Sequence, residues 1–572
     1  MTANHAASSP ALDIDAVVHR LAAGEGAWGA TSLSQRRDLL LEVCAATAIH
    51  AQEWVDIATW IKQLSPDSPL VGEEWISGPY ALIGYAQALQ TSLLRLVEGS
   101  SILDGYRLGT APGGRLTVQV LPHGMFDRLL LNGFHAELWS TPGTTEAELR
   151  AAAGLGQRTP EQTRGVALVL GAGNIFSIPP LDVLYQLYAE NRTVVLKLNP
   201  TTDALEEVFR AVFKPLIDRN LVEIVTGGPA VGAALSNHPG VAAVHMTGSE
   251  TTHDAIVWGS GPAAVAAKAA GTPALGKPMT SELGGICPTI VVPGKWSTAD
   301  LRFQAEHVAT QRLHNSGSNC IATQIVILSS DWAQKDEFLS ELRQVLGNAP
   351  TRPTWYPGTA DRIRSARVLH SAAERFGTGR TLLTGLDLTD PNEPAFSTEY
   401  FGPVLGIAEI PGTGAAFLDN AVAAANRRLH GTLGANLIVH PKTIAELGSR
   451  LRTAIAELRY GTVGVNAWTA VGYLTPRATW GAFPGHTPED VQSGIGVVHN
   501  ALLLDHIERT VVTGPFRPAP RSVLHGEMTM SPKPPWFVTN KTAATTGRRL
   551  TEFAAHPSWR ALPAIFASAL RG

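Results

Sequence analysis

The chain has 572 residues, 44% of them hydrophobic and 16% charged, with 55 glycines and a formal net charge of −4. Such a length exceeds one ordinary core, so two or more lobes are expected, each large enough to enclose a pocket. The near-balanced charge excludes an overall field for nucleic acid or an anionic membrane, and no apolar run reaches membrane-spanning length.

The first fifteen residues have neither the basic start nor the apolar core of a signal peptide. Only three cysteines occur, Cys44, Cys287 and Cys320, with no CxxC pair and no zinc-ligand spacing. A soluble, cytoplasmic protein without a metal site is the expectation.

Residues 30 to 112 read as mostly helical. From Ser32 to Leu64 the apolar residues recur at three- and four-residue spacing, with Ser32 or Ser34 as N-cap and Cys44 inside the pattern as a core residue. Next come "LTVQVL" and "FDRLLL", read as strands, and then a polar excursion. The stretch from 123 to 164 is therefore an insertion with no assigned role.

From Gly165 the rhythm changes to short apolar runs alternating with amphipathic stretches: "GVALVLGAGN", "PPLDVLYQLYAENR", "TVVLKLNP", "TTDALEEVFRAVFKPLIDRN", "LVEIVTGG", "PAVGAALSNHP" and "VAAVHMTGS". In the second amphipathic stretch Leu205, Val208, Phe209 and Val212 share a face, and Asp203 with Glu206 reads as a capping box. This β-α-β-α-β-α-β pattern predicts a parallel sheet covered on both faces, with a ligand beyond the C-terminal strand ends. Beyond Cys320 a second lobe is expected, with strand "QIVILS", helix "KDEFLSELRQVL", and later "GANLIVH" and "GTVGVNAW". The last residues, from about 519, form a proline-rich connection and end in a helix at "PSWRALPAIFASAL".

Several short motifs bear on chemistry. "GAGNIF" fails as a dinucleotide fingerprint because Phe176 takes the place of the third glycine. "MTGS" ends a strand and opens a helix, so Thr247, Gly248 and Ser249 are a phosphate candidate. Glu282 precedes two glycines and an apolar strand, an environment that raises a carboxyl pKa toward that of a general base. Cys287 reads as a filler of that strand. Cys320, in "HNSGSNC", reads equally as a packing residue or as a nucleophile at a helix N-terminus with a lowered pKa.

Taken in order, "GAGN", "VVLKLNP", "MTGSE", "ELGG", "GSNC", "EYFGPVLG", "GTVGVN" and "SGIG" resemble the aldehyde dehydrogenase superfamily. The resemblance runs from about residue 28 to 515, outside the 123–164 excursion. It implies an α/β fold: a Rossmann-like parallel-sheet cofactor domain over 1–285, carrying an oligomerisation arm and insertion at 113–164, and an α/β catalytic domain over 286–480. A return segment, oligomerisation tail and C-terminal extension then occupy 481–572.

The resemblance also implies roles. Cys320 would attack a small-molecule aldehyde, Asn174 with the backbone N–H of Cys320 would form the oxyanion hole, and Glu282 would activate water. NAD or NADP would be held by Lys197, Gly228, Pro229, Thr247, Gly248, Ser249, Glu399 and Phe401. Three departures mark the chain: the tryptophan before Asn174 is absent, His253 replaces a glycine of the pyrophosphate turn, and Pro200 replaces a ribose-binding glutamate, so NADP is not repelled. Trp468 and Tyr473 are candidate pocket walls favouring an apolar or aromatic aldehyde. A homodimer or homotetramer is implied, with the C-terminal extension packed across a neighbouring subunit. The alternatives are an acylating member that uses coenzyme A or another thiol, and a catalytically weak nucleotide-binding assembly protein.

Overall fold

The computed structural model describes residues 12–518 and 532–572. Most of the stretch tested for a signal peptide, residues 1–11, and the start of the proline-rich connection, 519–531, lie outside the described residues. Among those described, no helix is long and apolar enough to cross a membrane.

Two sheets organise the chain. The first has six strands in the spatial order Gly494–Ile495, Met279–Leu283, Val241–Gly248, Val166–Leu170, Thr193–Lys197 and Val222–Val225. All neighbours in it are parallel except Gly494–Ile495, which runs antiparallel to Met279–Leu283. Continuous apolar runs form these strands because both faces are covered, and Thr193–Lys197 is buried along its whole length. The chain leaves Val166–Leu170 toward one side and returns to its other side at Val241–Gly248. That reversal opens a crevice at the C-terminal ends of these two strands.

The helix Glu206–Ile217 buries Val208, Phe209, Val212, Phe213 and Leu216, as the periodicity requires. Its predicted capping box is absent. A 3-10 turn, Pro200–Leu205, precedes it instead, and Asn199 caps that turn by accepting from the Thr201 N–H. Proline at the first position fixes φ there, so the turn begins three residues earlier than the Asp203 signal suggests.

The second sheet has eleven strands. Its parallel centre runs in the order Ile507–Thr513, Thr462–Val465, Gly434–Ile438, Cys287–Val291, Thr323–Ser329, Val404–Ile410 and Arg380–Leu386, ending on antiparallel Glu374–Phe376. At the other end Ile507–Thr513 pairs antiparallel with His135–Ser140, followed by Arg115–Leu121 and Arg107–Ala111. The strands expected in an arm thus complete a sheet of their own chain.

One expectation about the insertion changes. "FDRLLL" is not a strand: Met125–Leu130 is a helix. The Asp127 carboxylate accepts from the backbone N–H groups of His123 and Gly124, which closes the first turn. The C-terminal extension packs on its own chain. Trp536, Phe537 and Val538 enter the core, and the helix Ala543–Ala555 lies against Val71–Trp75 with Leu562–Ala569 beside it.

Candidate active site

Cys320 lies at the end of a constrained approach. The helix Thr298–Leu313, capped by the Ser297–Asp300 box, passes into a 3-10 turn, His314–Gly317, and then into the strand Thr323–Ser329. Within the turn Asn315 and Ser316 have φ of 51° and 57°, a region sparsely populated by L-residues and held only where neighbours enforce it. The Asn315 backbone N–H donates to Glu73 Oε2 (2.9 Å), and its amide donates to the carbonyls of Asn174 (3.0 Å) and Ser318 (2.9 Å). Trp355 Nε1 donates to Asn315 Oδ1. At Gly317, φ is +74° and a Cβ would stand 2.4 Å from the Gly402 carbonyl oxygen, so only glycine fits.

No helix begins at Cys320. The residue sits in a turn closed by the Ala322 N–H donating to the Asn319 carbonyl. The expected helix-terminus effect on the thiol is therefore missing, and the direction of its pKa is reversed. Burial pushes the Cys320 thiol well above the ordinary range, and the charge of Glu282 beside it, hydrogen-bonded to the thiol, pushes the same way. Burial likewise raises the Glu282 carboxyl, outweighing the thiol and His499, which act in the opposite sense. Glu282 is fully buried on Met279–Leu283, and its Oε2 accepts from Trp480 Nε1 at 3.1 Å. Thiol and carboxylate thus form one coupled pair.

Asn174 follows the strand Val166–Leu170, and its amide donates to the Ser318 carbonyl at 3.0 Å. The loop that carries Cys320 and the loop that carries Asn174 are tied together by these bonds and by Asn315. Cys287 sits on the neighbouring strand, 1% exposed, with its thiol 3.4 Å from the Cys320 carbonyl oxygen, as a core filler. Cys44 packs against the main core and accepts from Gln90 Nε2.

Behind Glu282 lies a buried polar chain absent from the sequence reading. Asp182 is fully buried, with Oδ1 3.1 Å from His499 Nε2 and Oδ2 3.6 Å from His245 Nε2. Thr247 Oγ1 donates to Asp182 Oδ2, and His245 Nδ1 pairs with Thr280 Oγ1 at 2.8 Å. Burial raises the Asp182 carboxyl, but the two imidazoles outweigh it and hold the group below its usual range. Beneath Cys320 the Glu73 carboxylate takes Arg352 Nη1 at 2.7 Å, and Lys62 pairs with Glu74 at 2.9 Å. No short-motif signal marks these residues, because their partners are distant in the chain.

Two cavities meet at Cys320 and Glu282. A cleft of about 780 Å³ runs from them along the C-terminal ends of the parallel strands. Asn174, Lys197, Pro229, Thr247, Gly248 and Ser249 line it from the first sheet, and Glu399 and Phe401 from the second lobe. Gly228, the remaining sequence candidate, caps the helix Pro229–Asn237 without lining the cleft. His253 does not reach it either: it is 1% exposed, turned inward, with Nδ1 against Asp254. Pro200 does line the cleft.

Burial lifts the Glu399 carboxyl to about 7, against the pull of Arg312 and the Gly285 backbone N–H. A Cβ on Gly284 would stand 2.1 Å from Glu399 Oε2, so glycine there makes room for this carboxylate. On the opposite side a pocket of about 50 Å³ reaches the same thiol between Ile175, Ile178, Ile321, Trp468 and Tyr473.

The site is thus a thiol–carboxylate pair set between an elongated cleft and a narrow apolar pocket, where a doubly wound sheet faces a second α/β lobe. The model of the aldehyde dehydrogenase family matches residues 157–360. A 3,6-anhydro-alpha-L-galactose dehydrogenase of Streptomyces coelicolor is 27% identical over 488 residues, 80% of this chain and 82% of its own. An N-succinylglutamate 5-semialdehyde dehydrogenase of Sphingopyxis alaskensis is 24% identical over 351 residues, 58% of this chain and 68% of its own. The solved NAD-dependent aldehyde dehydrogenase of Sinorhizobium meliloti shares the fold, with a TM-score of 0.56 at 20% identity over 89% of this chain and 88% of that one. Residues 157–360 thus match the aldehyde dehydrogenase family model, and similarity to aldehyde dehydrogenases extends over most of the chain.

Proposed function

We propose that this protein is an oxidoreductase that converts an aldehyde to a carboxylate, using NAD or NADP and water. The observation that carries the reading is the position of Cys320 and Glu282, which line both the 780 Å³ cleft and the narrow apolar pocket. An electron acceptor and an aldehyde entering from opposite sides reach the same sulfur.

The cleft suits a dinucleotide. Its length follows the strand ends, where the helix Glu250–Val257 begins behind Gly248 and Ser249. The Lys197 ammonium, which has no ion pair among the described residues, supplies a cation to the adenosine end. Pro229 would flank the adenine, Thr247, Gly248 and Ser249 the pyrophosphate, and Glu399 and Phe401 the nicotinamide riboside. No carboxylate occupies the place of Pro200, so the site admits both cofactors. When bound, NAD(P)+ supplies a hydride acceptor, by which a thiohemiacetal becomes a thioester.

The chain's own groups carry the remaining steps. Glu282 takes the Cys320 proton, the sulfur adds to the carbonyl carbon, and the carbonyl π pair moves to oxygen. The second Asn174 amide hydrogen and the Cys320 backbone N–H hold that oxyanion. Glu282, having released its proton, takes one from water, which adds to the thioester; the C–S bond breaks and Cys320 is regenerated. The pocket walls Trp468, Ile175 and Ile178 keep bulk solvent from the sulfur.

The test is NAD(P)H appearance with a panel of aldehydes, with and without coenzyme A, beside Cys320→Ala. Cys320-dependent signal without coenzyme A is expected. Signal only with coenzyme A would favour an acylating enzyme, and nucleotide binding without turnover would leave a binding protein.

A further inference from the structure

A second, larger apolar space adjoins the catalytic pocket. It measures about 280 Å³ and lies between three parts of the chain. Phe126, Leu129, Leu130 and Phe134 of the insertion form one wall, and Leu550, Phe553, Ile565 and Phe566 of the C-terminal extension form another. Gly84 and Ala88 of the helix Ala81–Val97 form the floor. Ile76, Leu474 and Trp536 line both this chamber and the pocket at Cys320, so the two spaces adjoin.

The walls are built rather than incidental. Phe126 meets Phe553 edge-on at 5.0 Å between ring centroids, and Phe134 meets Trp536 at 5.6 Å. Phe553, Leu562 and Ile565 form a small core of their own, against which Phe126, Leu129 and Leu130 pack. Two of the polar groups on the wall are engaged within the fold. Gln87 Nε2 donates to the Ala554 carbonyl at 2.7 Å, and Asp127 accepts the two backbone N–H groups of its own helix cap. Arg477 lines the chamber with its guanidinium reaching the Tyr106 hydroxyl.

We propose that the aldehyde carries a long unbranched hydrocarbon tail, and that the chamber built by the insertion and the C-terminal extension houses it. The inference rests on the reading of Cys320 as the nucleophile that attacks an aldehyde. The pocket at the sulfur, about 50 Å³ and walled mainly by Ile175, Ile178, Ile321, Trp468 and Tyr473, suits an apolar methylene chain. At roughly 30 Å³ per methylene, close to the volume of one water in the liquid, the chamber of about 280 Å³ holds about nine carbons. Tail and reacting end together give a chain of about ten to twelve carbons. Arg477 Nε and Thr546 Oγ1 on the wall have no hydrogen-bond partner, so the ω-carboxylated chain is the direct competitor of a methyl-ended one.

The experiment compares kcat/KM across propanal, hexanal, decanal, dodecanal, benzaldehyde and an ω-carboxylated decanal, with the full chain. A rise of about fourfold per added methylene, levelling near twelve carbons, is expected. Leu129→Trp, which fills the chamber, should lower the decanal-to-propanal ratio at least tenfold, and Phe566→Ala, which enlarges it, should move the optimum to longer chains. Isothermal titration of dodecanoate provides a readout without turnover, with one site expected and weaker binding in Leu129→Trp. Cys320-dependent oxidation of propanal with no rise along the series, or a preference for benzaldehyde or the ω-carboxylated chain, overturns the proposal and leaves the aldehyde reading standing. If no aldehyde reacts but dodecanoate binds and Leu129→Trp weakens it, the chain-binding chamber stands and the aldehyde reading falls. Absence of dodecanoate binding overturns the chamber.

Discussion

Replacing Glu282 by glutamine separates the electrostatic role of this carboxylate from its chemical one. The amide oxygen can still accept from Trp480 Nε1, so the local packing is retained, while the negative charge next to Cys320 is removed. A unit charge about 4 Å from a developing thiolate, at an effective dielectric near 20, disfavours it by about 4 kcal/mol. Relaxation and water reduce this, and neighbouring charges shift such groups by about 1 to 3 pH units in practice. The sign follows from the thiol's charge: its anion is the form Glu282 opposes, so Glu282→Gln must lower the pH at which Cys320 becomes reactive. The assay is the rate of alkylation of the apoprotein by iodoacetamide against pH, with Cys320→Ala subtracting Cys44 and Cys287. The midpoint should fall by about 1 to 3 units, while steady-state aldehyde turnover falls by a factor of about 10² to 10⁴ through loss of the base. An unchanged or higher midpoint would refute the coupling of thiol and carboxylate.

Three further outcomes follow from the site. Asn174→Ala removes one oxyanion donor and should lower kcat by about 10² to 10³, read in steady-state kinetics, with NAD(P)+ affinity measured by fluorescence titration little changed. Gly284→Ala places a methyl against the Glu399 carboxylate and should weaken NAD(P)+ binding about tenfold or more, since a clash of this kind costs about 1 to 3 kcal/mol; binding at wild-type strength would remove Glu399 from the cofactor site. Asp182→Ala leaves His499 and His245 without their buried partner and should lower stability by about 3 to 5 kcal/mol in urea unfolding. Because the Asp182 carboxyl is held below its unfolded value, its contribution is present at neutral pH and lost as the pH falls through the folded value; the difference between wild type and variant should therefore shrink in acid.

The periodic features were legible in the local residue pattern. Alternating apolar runs and amphipathic stretches from Gly165 onward became the parallel sheet, because a strand covered on both faces needs an unbroken apolar run whatever lies elsewhere in the chain. The ordered motifs brought out Cys320, Glu282, Asn174 and part of the cleft lining, since each lies at a strand end or turn where local sequence dictates the geometry. Local signals also misled. The "FDRLLL" run is helical because Asp127 caps it, and the Asp203 box yields to a turn fixed by Pro200.

Quantities that depend on distant neighbours came from the folded chain. It set the direction of the Cys320 pKa, which follows first from burial and then from the charge of Glu282 beside it, not from a helix terminus. It turned His253 inward, gathered Asp182, His245 and His499 behind Glu282, and brought residues 126–134 against 550–566 to form a chamber. Burial, charge proximity and cavity shape arise from contacts between segments tens to hundreds of residues apart, and short-range spacing carries no record of them.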